Sequence, residues 1–162
     1  MGYTAKTEGM EEISKMLTRL DVDAQSVAAQ GLYDGAAIMA EAVNQSAGSI
    51  RTAKFHYSVF PGATTRLPSP EEKEAVLSAG VGIAKFDKNG SEVNTSIGYG
   101  NAGYAEVNGK MKPIAQIANA INSGTSFMPK QPFIRKGGKN GEAKATEAIR
   151  NTIENRFKEI IK

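Results

Sequence analysis

The segment from Pro113 to Gly138 constrains the fold of this chain more than any other. A proline followed by apolar residues at helical spacing predicts a helix that ends at Gly124. Beyond it, Pro129 and Pro132 predict an extended arm over 125–139. The predicted partner-contacting residues of this arm are Phe127, Met128, Pro132, Phe133 and Ile134. The sequence therefore predicts an arm whose apolar side chains enter a pocket in the same subunit or in a neighbouring one.

The N-terminal third reads as two helices. Apolar residues at helical spacing predict one helix over 9–20 and a longer one over 24–46, with a break marked by Asp21 and Asp23. Gly31 and Gly35 lie inside the longer helix, where each glycine costs roughly 1 kcal/mol relative to alanine. Both glycines therefore indicate close packing against another backbone, in this subunit or in a neighbour.

The remaining elements predict an α+β fold. A flexible loop is expected over 49–69, because its helical pattern is lost and prolines interrupt it. A serine, a proline and two glutamates then predict a short capped helix over 70–78. The most regular amphipathic pattern predicts a final helix over 142–161 after a hinge of three glycines. We expect a single domain over 1–162, with a small antiparallel sheet packed by the second and last helices.

The clearest strand signal is a central hairpin over about 81–99. Alternating apolar residues predict strands over 81–86 and 91–99, joined by a turn at Asp87-Lys88-Asn89-Gly90. The residues from Gly98 to Gly109 are rich in glycine and asparagine and predict a loop.

Few residues favour catalysis. His56 is the only histidine and there is no cysteine, so the chain lacks the residues that the usual zinc sites and catalytic triads require. The run Gly98 to Gly103 matches the letters of a dinucleotide fingerprint, but no helical pattern follows it, which favours a turn. An acidic cluster of Glu71, Glu72 and Glu74 fits the start of a helix better than a pair of catalytic acids. We therefore expect neither catalysis nor a cofactor or metal.

Charge is distributed unevenly along the chain. Residues 1–48 have 3 basic and 7 acidic side chains, whereas residues 101–162 have 11 basic and 5 acidic ones. A basic cluster follows the arm and consists of Lys130, Arg135, Lys136 and Lys139. Such a layout allows head-to-tail packing of identical subunits, phosphate contacts with nucleic acid, or an uneven solvated surface. No signal peptide or membrane-spanning pattern is present, so we expect a soluble chain that is not exported by a signal of its own.

The segment around the arm resembles a family of bacteriophage proteins. Its Gly-Thr-Ser, short spacer and Pro-Phe-x-basic pattern is similar to that of neck, head–tail joining or tail completion proteins of long-tailed phages. The matching residues are Gly124, Thr125, Ser126, Pro132, Phe133 and Arg135. Upstream, Ile97-Gly98-Tyr99 with Gly103-Tyr104 and the opening run 9–13 resemble the same family.

This resemblance implies a structural virion protein, not an enzyme. The subunits would be assembled in the cytoplasm of the bacterial host and would form a ring, a hexamer or dodecamer, at the neck or tail of the virion. The implied partners are further copies of the chain, a head-closure or connector protein, a tail-tube or tail-terminator protein and non-specific DNA in the lumen, with no membrane. The basic cluster would line the lumen or pair with acidic residues. An alternative that the residues themselves leave open is a small nucleic-acid-binding protein that uses its basic C-terminal third.

Overall fold

A computed structural model describes residues 10–53, 57–60, 63–89 and 92–161. Within these residues it contains four helices and four two-stranded antiparallel pairs, which confirms the α+β class. The helices are α1 (Met10–Ala47), α2 (Pro70–Ala79), α3 (Ile114–Ser123) and α4 (Phe133–Ile161). The strands are β1 (Tyr57–Phe60), β2 (Ala63–Thr65), β3 (Gly82–Ile83), β4 (Asp87–Asn89), β5 (Glu92–Asn94), β6 (Ile97–Gly98), β7 (Tyr104–Val107) and β8 (Lys110–Pro113).

The two helices predicted in the N-terminal third form one continuous helix, α1. The predicted break at Asp21 was wrong. An aspartate inside a helix costs at most about 0.7 kcal/mol relative to alanine, which is too little to end a helix that both flanks favour. The result is a 38-residue helix whose C-terminal half forms one side of the core.

The glycines of α1 contact α4 of the same chain. A Cβ atom added at Gly31 would lie 3.1 Å from Cγ1 of Ile153, and one added at Gly35 would lie 2.6 Å from Cδ1 of Ile149. The later residue of α1 contacts the earlier residue of α4, so the two helices pack antiparallel. This settles the partner of the two glycines, which the sequence had left open.

The predicted extended arm over 125–139 is wrong from Phe133 onward, and the predicted glycine hinge is absent from the described residues. Helix α4 begins at Phe133 and continues through Gly137, Gly138 and Gly141. A Cβ atom at Gly137 would lie 2.5 Å from Cα of Val43, so this glycine lets the two backbones come close. The tight interhelical contact offsets the poor helix propensity of glycine, which a pattern along one segment cannot reveal.

The central hairpin is confirmed, although it is irregular. Strand β3 pairs with β6, and β4 pairs with β5 farther along the same ribbon. Between the two pairs, the amide of Ala84 donates to the carbonyl oxygen of Ser96 at 2.7 Å. Asp87, Lys88 and Asn89, predicted to form the turn, instead pair as strand β4, so that prediction was wrong. The connecting residues 90 and 91 lie outside the described residues.

A second hairpin, β7–β8, replaces part of the loop predicted between Gly98 and Gly109. Its turn is Asn108-Gly109, with φ angles of 53° and 71°. Two positive φ angles in a two-residue connection define the turn type that asparagine followed by glycine favours. Tyr104 to Val107 pair with Lys110 to Pro113 in regular register. The Asn-Gly signal was present in the sequence but was overlooked because the residues before it are rich in glycine.

The hydrophobic core lies where the C-terminal half of α1 meets α2, α3, the start of α4 and one side of β7. Its buried side chains include Val43, Val76, Val107, Ile117, Ile121, Met128 and Phe133. The predicted helices at 70–78 and after Pro113 are confirmed, and Gly124 ends α3 with a φ of 78°. The predicted loop over 49–69 contains the pair β1–β2, and His56 lies outside the described residues. Among the described helices, none is both long and apolar enough to cross a bilayer.

Candidate assembly surface

The five residues predicted to contact a partner have different environments. Met128 and Phe133 are 2% and 3% exposed and belong to the subunit's own core, where the ring of Phe133 packs edge-on against Tyr99 with centroids 6.2 Å apart. They are therefore not available to a partner, and that part of the prediction was wrong. Pro132 is exposed, Ile134 is half-buried, and Phe127 is 45% exposed.

A tight turn at 125–128 presents Phe127 to solvent. The amide of Thr125 donates to the carbonyl oxygen of Met128 at 2.8 Å, and the amide of Met128 donates back to Thr125 at 3.3 Å. Gly124 precedes the turn, and a Cβ atom there would lie 2.9 Å from the amide nitrogen of Lys130. Because Met128 is buried at one end of the turn, the neighbouring Phe127 is directed outward.

Arg66 supports the exposed ring. Its guanidinium carbon lies 5.8 Å from the centroid of Phe127, and its amide donates to the carbonyl oxygen of Phe127 at 2.7 Å. The same guanidinium donates two hydrogen bonds to the Glu72 carboxylate, at 2.5 and 2.7 Å. Two parallel bonds fix the plane of the guanidinium, so one side of the Phe127 ring has a rigid backing. No pattern in the sequence indicates that Arg66 meets Phe127, because 60 residues separate them.

Glu72 is a structural residue at the start of α2. Its side chain is 4% exposed, and it exchanges hydrogen bonds with Ser69 in a capping box. Burial raises the pKa of the Glu72 carboxyl, but hydrogen bonds from Arg66 and Ser69 together with the positive charges of Arg66 and Lys112 lower it by more, so the pKa lies below its ordinary value of 4.5. Lys112 on β8 lies 3.9 Å from the same carboxylate. The residue thus joins α2, β8 and the Arg66 segment.

Replacing Glu72 with glutamine should destabilise the chain at neutral pH by roughly 1.5–3 kcal/mol, because hydrogen bonds to a charged group are lost. A carboxyl whose folded pKa is lowered stabilises the fold above its unfolded pKa and loses that contribution as the pH falls. The difference between wild type and Glu72→Gln should therefore shrink as the pH drops below 4.5. Urea unfolding at pH 7 and at successively lower pH measures it.

Glu74→Gln is the control for that experiment, because Glu74 lies on the same helix but is exposed. It should change the free energy of unfolding by less than about 0.5 kcal/mol at any pH. An equal effect of the two substitutions would show that the Arg66–Glu72 pair does not stabilise the fold.

Glu71, another member of the acidic cluster, also has a structural role. The carboxylate of Glu71 accepts a hydrogen bond from the amide of Asn108 at 2.9 Å, which ties the turn of β7–β8 to α2. After Gly98, the run that matches a dinucleotide fingerprint leads into β7 and not into a helix, as the turn interpretation predicted. Among the described residues, no group of three or more histidine or acidic side chains could hold a metal ion.

A second exposed apolar surface lies on the β7–β8 hairpin. Tyr104 is 67% exposed and Met111 is 65% exposed. In the register of this pair, Tyr104 and Glu106 lie on one face of β7, and Met111 lies opposite Glu106 on the same face. Val107 points the other way and is fully buried. The hairpin therefore packs one face on the core and presents an aromatic and a flexible apolar side chain on the other.

The predicted basic cluster is exposed. Lys130 precedes α4, and Arg135, Lys136 and Lys139 lie in its first two turns. Ion pairs among the described residues join Arg66 and Lys112 to Glu72 and Arg156 to Glu159, so none involves this cluster.

Comparison of the chain with models of known protein families, with curated proteins and with solved structures finds no match.

Proposed function

We propose that this chain is a structural virion protein that forms a ring at the neck of a long-tailed bacteriophage. The ring joins the head connector to the tail and lets DNA pass through its lumen. The observation that carries the proposal is the segment 124–135, whose residues resemble those of neck and tail completion proteins. In this segment Gly124 and the buried side chain of Met128 hold a tight turn, and the turn presents Phe127 to solvent.

Ring formation requires two different surfaces that fit each other, because each subunit contacts the next one head to tail. The turn with Phe127 supplies one candidate surface, and the outer face of β7–β8 with Tyr104 and Met111 supplies another. Exposed aromatic side chains on rigid supports are typical of the residues that dominate protein interfaces. The proposed partners are further copies of this chain, a head-closure or connector protein, and a tail-tube or tail-terminator protein.

Phe127→Asp should abolish assembly and leave a folded monomer. The side chain is 45% exposed, so a charge there costs little stability, but a subunit contact would lose its aromatic anchor and would have to bury a carboxylate. Size-exclusion chromatography with light scattering, together with negative-stain images, should show rings for the wild type and monomers for the variant. Circular dichroism should show the same helix content for both.

Asn151→Asp is the control, since it places a carboxylate at an exposed position of α4 remote from the turn. It should form rings like the wild type. Rings formed by the Phe127→Asp variant would show that the turn is not part of the subunit interface. A wild-type chain that stays monomeric at high concentration, even with connector and tail-tube proteins added, would refute the proposed function.

A further inference from the structure

The stretch 107–141 contains six basic residues and no acidic residue. Four of the six are Lys130, Arg135, Lys136 and Lys139, which surround the start of α4. An acid-free stretch of this length in a chain with 17 acidic residues is unusual and concentrates positive charge at one place in the fold.

The fold adds a fifth cation, Arg51, to this cluster. The amide of Arg51 donates to Oε1 of Gln131 at 2.8 Å, and Nε2 of Gln131 donates to the carbonyl oxygen of Arg51 at 3.0 Å. This two-bond contact places Arg51, which follows α1, next to the segment that leads into α4. The five exposed cations are called the basic surface below, and they are Arg51, Lys130, Arg135, Lys136 and Lys139.

The cations of the basic surface are not neutralised by direct ion pairs within the described part of the subunit, although Glu41 lines the same cleft as Lys136. None of its five cations forms an ion pair with a described acidic residue. Arg135, Lys136 and Lys139 also lie at the N-terminal end of a 29-residue helix, where the helix dipole favours acidic and disfavours basic side chains. An arrangement that is electrostatically unfavourable in the isolated subunit is favourable when an anionic partner is bound.

The composition of the basic surface distinguishes between anionic partners. Three of its five residues are lysines, which are depleted at the centres of protein interfaces. Of the large exposed apolar side chains, Phe127 lies three positions before Lys130, at the border of this surface, but none lies in the first two turns of α4, where a protein partner would need such side chains as anchors beside Arg135, Lys136 and Lys139. It also contains no aromatic ring on which an unpaired base could stack. A helix start that exposes one arginine and two lysines, and no large apolar or aromatic side chain, suits phosphate contacts that do not depend on sequence.

We propose that the basic surface binds the phosphodiester backbone of double-stranded DNA without reading its sequence. The inference rests on the proposed function for the choice of double-stranded DNA as the polyanion. It assigns the basic surface to DNA, whereas the turn with Phe127 and the outer face of β7–β8 serve contacts between proteins.

Fluorescence anisotropy with the full chain and two unrelated duplexes of about 30 base pairs tests the proposal. If about four phosphates are contacted, affinity should fall about 10²-fold between 50 and 200 mM salt, and equally for both duplexes. The triple variant Arg135→Ala, Lys136→Ala, Lys139→Ala should bind more weakly and lose less than about tenfold over the same range. The control Lys85→Ala, Arg150→Ala, Lys158→Ala removes three exposed cations elsewhere and should keep the wild-type salt dependence.

Equal behaviour of the two triple variants, or a strong preference for one duplex, would overturn the proposal. Loss of rings with unchanged DNA affinity in the first triple variant would also overturn it, since the basic surface would then contact acidic residues of another subunit. Rings that form normally in a variant with weakened DNA binding would support it. If the wild-type chain binds DNA through the basic surface but forms no ring, this inference is supported and the proposed function is refuted.

Discussion

Replacing Phe133 with aspartate should unfold the chain and not merely release a folded monomer. The side chain is 3% exposed and packs edge-on against Tyr99, within the core that α1 and α3 also line. Loss of a buried phenylalanine ring costs about 3–5 kcal/mol, and a buried carboxylate without a partner adds to that cost. Because domains of this size are stable by only about 5–15 kcal/mol, the variant should be largely unfolded at 25 °C.

Far-UV circular dichroism and urea unfolding measure this effect. Phe127→Asp is the matched comparison, because it introduces the same charge six positions earlier in the same segment, at a side chain that is 45% exposed. That variant should unfold at nearly the wild-type urea concentration. A cooperatively folded Phe133→Asp monomer with wild-type helix content would contradict the core position of Phe133 and restore its predicted role as a partner-contacting residue.

The contrast between these two phenylalanines shows what the segment's sequence could and could not predict. Two prolines and several apolar residues correctly indicated a segment that departs from the helical pattern after Gly124. Phe127 lies against Arg66, 61 positions away, whereas Phe133 points inward and packs against Tyr99, 34 positions away. Such contacts leave no periodic signal, so the sequence predicted one arm where the structure has a turn and the start of a helix.

Local signals predicted elements well where a cap or stop was encoded nearby. The serine and proline at the start of α2 and Gly124 at the end of α3 predicted the positions that the structure has. The errors occurred where tertiary contacts outweigh local preference. Asp21 did not end α1, and three glycines did not interrupt α4, because a long interhelical contact stabilises both helices.

The candidate surfaces were less predictable than the fold. The outer face of β7–β8 follows from the turn at Asn108-Gly109, a short-range signal that could have been used. The support of Phe127 by Arg66 could not have been found, since it requires the Arg66–Glu72 pair to be in place. The basic cluster was visible in the sequence, but Arg51 joins it only through Gln131.

Replacing Gly137 with alanine should destabilise the chain by about 1–3 kcal/mol, the range expected when a well-packed contact is overfilled. The added Cβ atom would lie 2.5 Å from Cα of Val43 and 2.8 Å from the carbonyl oxygen of Ala42. Both are backbone atoms, so the clash cannot be relieved by turning a side chain, and α1 and α4 must move apart. This steric cost outweighs the gain of roughly 1 kcal/mol that alanine brings to a helix interior.

The next residue separates the steric effect from helix propensity. Gly138 lies in the same turn of α4, but a Cβ atom there would meet only Cε of Met39, at an ordinary contact distance of 3.7 Å. Gly138→Ala should therefore raise the free energy of unfolding by about 0.5–1 kcal/mol, the opposite sign from its neighbour. Thermal and urea unfolding of the two variants measure this difference. Stabilisation by both substitutions would mean that α1 and α4 are not in backbone contact at Gly137, and destabilisation by both would mean that this turn of α4 is packed on more than one side.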